Sequence, residues 1–280
     1  MRDRRDAYLS ALNKGLDDAM ATGQHKPCIQ GNIISDREAK LSKEELTSIS
    51  LTMLSGGLDT ITTQVAWFCS LLVNRPDIQE KAVSEIRKFY GEDKPLCDAS
   101  DDQQCPYIAA LVRESLRYYT VLRLALPKAS IKGITYKDTV IPKGTIVFLN
   151  SWACNMDSKL TKALPPADPA TWSDPEVFRP ERYLEQPDAP MFTYGMGYRM
   201  CAGSILANKE LYLVYMRLIN SFRLDKFEDI DYHPVSGNAD PRSLVAMPRR
   251  YRSLFVPRNE RALAEALGKP GPKEAESVVA

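Results

Sequence analysis

Phe192-Thr-Tyr-Gly195-Met-Gly197-Tyr-Arg199-Met-Cys201-Ala-Gly203 sets one cysteine in a glycine-punctuated loop, two residues after an arginine and just before a helix-forming run from Ser204 to Leu218. A thiolate needs help to stay deprotonated. A helix N-terminus, exposed backbone N–H groups and a nearby guanidinium all supply it. Glycines let backbone approach a flat ligand closely and adopt positive φ where a side chain would clash. A lone cysteine in a helix-entry loop is most often a buried structural residue. Here six fixed positions over twelve residues follow F-x-x-G-x-G-x-R-x-C-x-G, which chance explains poorly. The chemistry is that of a thiolate axial ligand to haem iron.

Composition narrows the alternatives. The 280 residues suffice for one large domain or two small ones. A net charge of +1 lacks the basic excess of a nucleic-acid footprint. Six cysteines (Cys28, Cys69, Cys97, Cys105, Cys154, Cys201) include no C-x-x-C pair, so neither a zinc site nor a disulfide framework is indicated, and a reducing compartment fits. With only His25 and His233, a histidine metal centre or Ser-His-Asp triad has little material. No apolar run reaches the ~18 residues a membrane span requires. The charged opening, Met1-Arg-Asp-Arg-Arg-Asp, is not followed by a signal-peptide core.

The longest predicted helix starts at a capping box, Ser42-Lys-Glu-Glu45, and runs to about Asn74, before Arg75-Pro76. It is apolar nearly all round, as in the centre of a large domain. Yet its middle holds Gly56-Gly57-Leu58-Asp59-Thr60. Each glycine costs roughly 1 kcal/mol against alanine, so a purely structural helix would avoid the pair. The glycines leave room for a ligand, and a locally widened turn is expected there. Other helices are predicted over 7–23, 75–90, 106–119 (opened by Pro106) and 204–222, with a turn-rich break from Gly23 to Asn32. Short strands are expected at 131–136, 139–141 and 145–149, with a hairpin at Lys137-Asp138, and weaker ones near 223–227 and 243–256. Residues 156–190 read as an irregular meander, and order is expected to end at Val256-Pro257.

Glu114-Ser-Leu-Arg117 places an acid and a base on one helix face. Such spacing is common: Glu176 and Arg179 show it too. Order distinguishes the first pair, because Phe178-Arg-Pro-Glu-Arg182 follows it and precedes the cysteine loop.

Together these motifs resemble the cytochrome P450 family over residues 33–257, most closely the fungal members that hydroxylate phenylacetate or hydroxyphenylacetate on the ring. The resemblance implies a mainly α fold with small β-sheets and a haem b cofactor with Cys201 as its iron ligand. Phe192, Gly195, Gly197 and Gly203 would shape the loop. Arg199 would pair with a haem propionate, and Lys128, after Pro127, would do so where the family usually has Arg or His. Gly57 would leave space for dioxygen, and Asp59 and Thr60 would relay protons. Ile61 departs from the Thr or Ser that closes this pattern. Glu114, Arg117 and Arg182 would form a buried cluster supporting the loop.

The implied activity is insertion of one oxygen atom of O2 into a small organic substrate, an aryl acid among the candidates, with electrons from NADPH through a reductase. Full-length relatives sit on the cytosolic face of the endoplasmic reticulum membrane. Their membrane anchor and preceding half are absent from these residues, so the expectation for this chain is a cytoplasmic location or one the sequence leaves open. Residues 1–32 then read as a remnant helix and loop of the preceding half, and 258–280 as a disordered tail. The alternative is a non-catalytic fragment, either a haem-binding remnant or an incomplete reading of the gene.

Overall fold

A computed structural model describes residues 2–36, 38–91, 94–98, 100–101, 103–157 and 174–268. Contacts divide the chain into two compact units, Met1–Asp59 and Thr60–Ala280. The break expected near residue 32 lies inside the first of them.

The first unit holds α1 (Arg2–Ala21), α2 (Ile29–Ser35) and the opening of α3 (Lys43–Asn74). The capping box forms: Ser42 N donates to Glu45 Oε2 at 2.8 Å and Glu45 N to Ser42 Oγ at 3.2 Å. Those bonds hold the Glu45 carboxyl below its usual range. Helix α2 occupies part of the expected break. Its N-cap is Cys28, whose Sγ accepts from Gly31 N at 3.3 Å, and cysteine is not among the usual capping residues that would have announced it. Gln30 ties the unit together, donating to Asn13 Oδ1 and accepting from Ser50 Oγ, both at 2.9 Å. Through Gly56-Gly57, α3 stays a regular α-helix, so the expected widening of the turn is not seen.

The second unit is a helical core of the rest of α3 with α4 (Pro76–Tyr90), α5 (Pro106–Tyr119) and α8 (Ser204–Ser221). Trp67, Phe68, Leu71 and Leu72 of α3 are wholly buried with Ile86, Ile108, Leu111 and Tyr215. Phe68 stacks on Tyr215 with centroids 3.4 Å apart, and Trp67 on Tyr119 at 4.7 Å. Ile61 packs against this cluster, so the residue that departs from the expected polar pattern has an apolar task. Prolines stand in the first turns of α4 and α5, where a missing N–H costs nothing.

Among the described residues, three two-stranded antiparallel sheets form: β1 (Lys128–Ala129) with β4 (Ile146–Val147), β2 (Ile134–Tyr136) with β3 (Thr139–Ile141), and β5 (Phe222–Lys226) with β6 (Ser253–Pro257). The expected hairpin forms across Lys137-Asp138, pairing Tyr136 with Thr139. Over 131–136, however, only the last three residues are strand, and over 243–256 only Ser253 onward is. Two short helices, α6 (Ser151–Met156) and α7 (Arg182–Glu185), lie in stretches read as irregular or unassigned.

Order does not stop at Pro257: α9 (Glu260–Ala266) follows, with Asn259 Oδ1 accepting from Ala262 N at 3.0 Å. An Asn N-cap before an Ala- and Glu-rich run is a recognised start signal. The expected disorder over 269–280, and most of the expected meander (158–173), lie outside the described residues.

Candidate haem-thiolate site

The site residues of the second unit gather on a loop and the helices behind it. Gly195 and Gly197 adopt φ of +80° and +66°, left-handed values that favour glycine. Gly195 N donates to Phe192 O at 2.9 Å, and a single 3₁₀ turn spans Gly197–Arg199. Cys201 N then donates back to Tyr194 O at 2.9 Å, closing the loop beneath the cysteine. Gly203 is the N-cap of α8, so Cys201 lies within three residues of a helix N-terminus. Tyr194 Oη donates to Asn208 Oδ1 at 3.1 Å, anchoring the loop to α8.

Cys201 is exposed, as is Cys28. The other cysteines sit in different surroundings. Burial pushes the Cys69 thiol up to about 12, which keeps it protonated and inert near neutral pH.

Behind the loop, Glu114 and Arg117 are fully buried and Arg182 nearly so. Arg117 Nε donates to Glu114 Oε2 at 2.8 Å and Nη2 to Oε1 at 2.9 Å, a bidentate pair. Arg182 Nε reaches the same Oε1 at 3.1 Å, and Arg179 N donates to it at 2.8 Å. Further guanidinium donors meet carbonyls. Arg117 Nη1 donates to Asn155 O at 3.0 Å and Pro175 O at 2.9 Å, and Arg182 Nη2 to Val177 O at 2.8 Å. Burial pushes the Arg182 guanidinium down, opposed by the Glu114 charge. The competing spacing does not form a pair: Arg179 turns to Glu185 at the surface.

Lys128, on β1, and Arg199 are exposed cations without a carboxylate partner among the described residues. Gly57 and Asp59 belong to the first unit and are exposed on α3, and Thr60, half-exposed, begins the second. A methyl group at Gly57 would meet nothing within 4 Å.

Sequence reasoning missed Asn155 and Thr193. Asn155 Oδ1 accepts from Phe192 N at 2.9 Å and its Nδ2 donates to Thr193 Oγ1 at 3.0 Å. No local spacing marks either residue.

A family model for cytochrome P450 matches residues 1–254. The chain belongs to the cytochrome P450 family. It is 66% identical to 3-hydroxyphenylacetate 6-hydroxylase of Emericella nidulans, over 95% of this chain and 50% of that protein. It is 38% identical to phenylacetate 2-hydroxylase of the same fungus, over 92% of this chain and 50% of that protein. The chain therefore spans about half the length of these relatives. Among solved structures, a zebra fish cytochrome P450 with progesterone superposes with a TM-score of 0.73 over 90% of this chain and 57% of that one, at 24% identity, a likeness of fold.

P450s carry haem and draw on a redox partner. The residues present fit that group. An exposed thiol sits on a glycine-bent loop before a helix, with two exposed cations uncommitted to carboxylates. The loop offers one cysteine sulfur, and no His/Cys/Asp/Glu cluster suited to a bare metal ion occurs among the described residues.

Proposed function

We propose that this chain is the cysteine-bearing half of a haem-thiolate monooxygenase that hydroxylates the ring of a phenylacetate-like aryl acid. The carrying observation is the exposed Cys201 on its closed loop, braced by a buried Glu114–Arg117–Arg182 cluster. The 66% identity to a hydroxyphenylacetate hydroxylase supports the substrate class. In the overall reaction one oxygen atom of O2 enters a ring C–H bond and the other leaves as water. Two protons and two electrons are consumed, the electrons drawn from NADPH through a reductase at the cytosolic face of the endoplasmic reticulum.

Haem held there supplies the activation of dioxygen. Cys201, three residues before α8, would ligate it through its sulfur. Arg199 and Lys128 would hold its propionates, Arg199 as a fork and Lys128 as a point charge. On α3, the Asp59 carboxylate and Thr60 hydroxyl hold and pass protons, and Gly57 keeps that face clear.

Thr60→Ala is therefore expected to leave haem uptake intact while product formed per NADPH consumed falls severalfold. Parallel measurement of NADPH oxidation and hydroxylated product in the full-length protein checks this. Unchanged coupling removes Thr60 from the mechanism. One observation favours a second reading, haem binding without turnover: Met200, Ile205 and Leu206 beside the cysteine stand 51%, 74% and 61% exposed.

A further inference from the structure

We infer that Asn155 is a positioning residue for the Cys201 loop, carrying the geometry of the buried charge cluster into the loop's first two residues. The inference rests on Cys201 being the haem ligand.

Asn155, in α6, is wholly buried. Its main-chain carbonyl accepts from Arg117 Nη1 at 3.0 Å, which fixes it to the cluster. Its side chain spends its full donor capacity. Nδ2 donates to Thr120 Oγ1 at 2.8 Å and Thr193 Oγ1 at 3.0 Å, while Oδ1 accepts from Phe192 N at 2.9 Å.

Both threonines are held on their other side. Thr193 Oγ1 donates to Leu116 O and Thr120 Oγ1 to Arg117 O, each at 2.7 Å. Thr120 caps α5 at φ +40°, a left-handed conformation that a β-branched residue keeps only where its surroundings hold it. Asn155 thus grips the strained end of the helix carrying Glu114 and Arg117 with one amide group, and the cysteine loop with the same group.

The site demands this chemistry and not merely volume. Leucine would strand the Phe192 N–H and remove a partner of two hydroxyls, one of them wholly buried. Aspartate would lose both donors and add a buried charge. From Phe192 the constraint passes along the loop. Phe192 O accepts from Gly195 N, and Tyr194 O, two residues on, accepts from Cys201 N, both at 2.9 Å. Freedom at 192–193 therefore becomes freedom at the sulfur.

The test is amide hydrogen exchange, resolved by peptide, on the full chain without haem, for wild type, Asn155→Ala and Thr193→Val. Both variants are expected to speed exchange over 192–203 by about tenfold, the scale of one lost hydrogen bond, with α4 unchanged. Unchanged loop exchange, or a rise spread evenly over the chain, overturns the inference. Thr193→Val removes only a hydroxyl at the loop end and decides the matter if Asn155→Ala does not fold. In the haem-loaded chain the variants should lose their thiolate-type reduced-CO band faster than wild type at one temperature below the melting point of each. A wild type without any such band would sink the haem assignment, while the exchange result would still stand or fall by itself.

Discussion

Glu114→Ala is expected to destabilise the second unit by roughly 3–5 kcal/mol, because it removes the carboxylate that pairs two buried guanidinium groups. Two cations, Arg117 and Arg182, converge on one acid that is 0% exposed, at 2.8–3.1 Å. Carbonyl oxygens of Asn155, Pro175 and Val177 satisfy other donors but carry no charge to balance them. A loss of that size is a large share of the ~5–15 kcal/mol that holds an ordinary domain together. Denaturant unfolding of wild type and variant measures it. Arg179→Ala is the control, since its partner Glu185 is at the surface and little should change. Equal, small losses in both variants would show that the cluster is not structural support.

Cys201→Ala should have the opposite profile: loss of the thiolate-type haem spectrum with little loss of stability. The thiol is exposed, so truncation opens no cavity, and surface substitutions ordinarily stay within about 0.5 kcal/mol. Cys69→Ala supplies the contrast. That thiol is buried and held protonated, with a pKa pushed up to about 12. Its removal should cost stability and spare the spectrum. A thiolate-type band that survived Cys201→Ala would move the ligand elsewhere.

How much of this could be read from sequence follows from the range of the interactions. The cysteine loop is encoded within twelve residues, because positive φ at Gly195 and Gly197 and the adjoining helix start are local demands. The capping box at Ser42 and the prolines opening α4 and α5 are equally local. Glu114 and Arg117 are adjacent on one helix, but Arg182 joins them from 68 residues away, and only motif order singled it out. Asn155 was invisible. Its partners lie 35 to 38 residues off on both sides, and nothing in Asn150-Ser-Trp-Ala-Cys-Asn155 announces a buried amide that ties them.

Errors in the elements have similar causes. Helix α2 starts on a cysteine cap, and β1 is two residues long, too short for any periodicity. Helix α9 is a different case, since its asparagine cap was in view and the Pro257 stop was given too much weight.

The central claim, that Cys201 ligates haem, is tested most directly by the reduced, CO-bound absorption spectrum of this chain produced with haem supplied. The account predicts a thiolate-type Soret band that disappears in Cys201→Ala. Failure to take up haem, or uptake with a band lacking thiolate character, would contradict it.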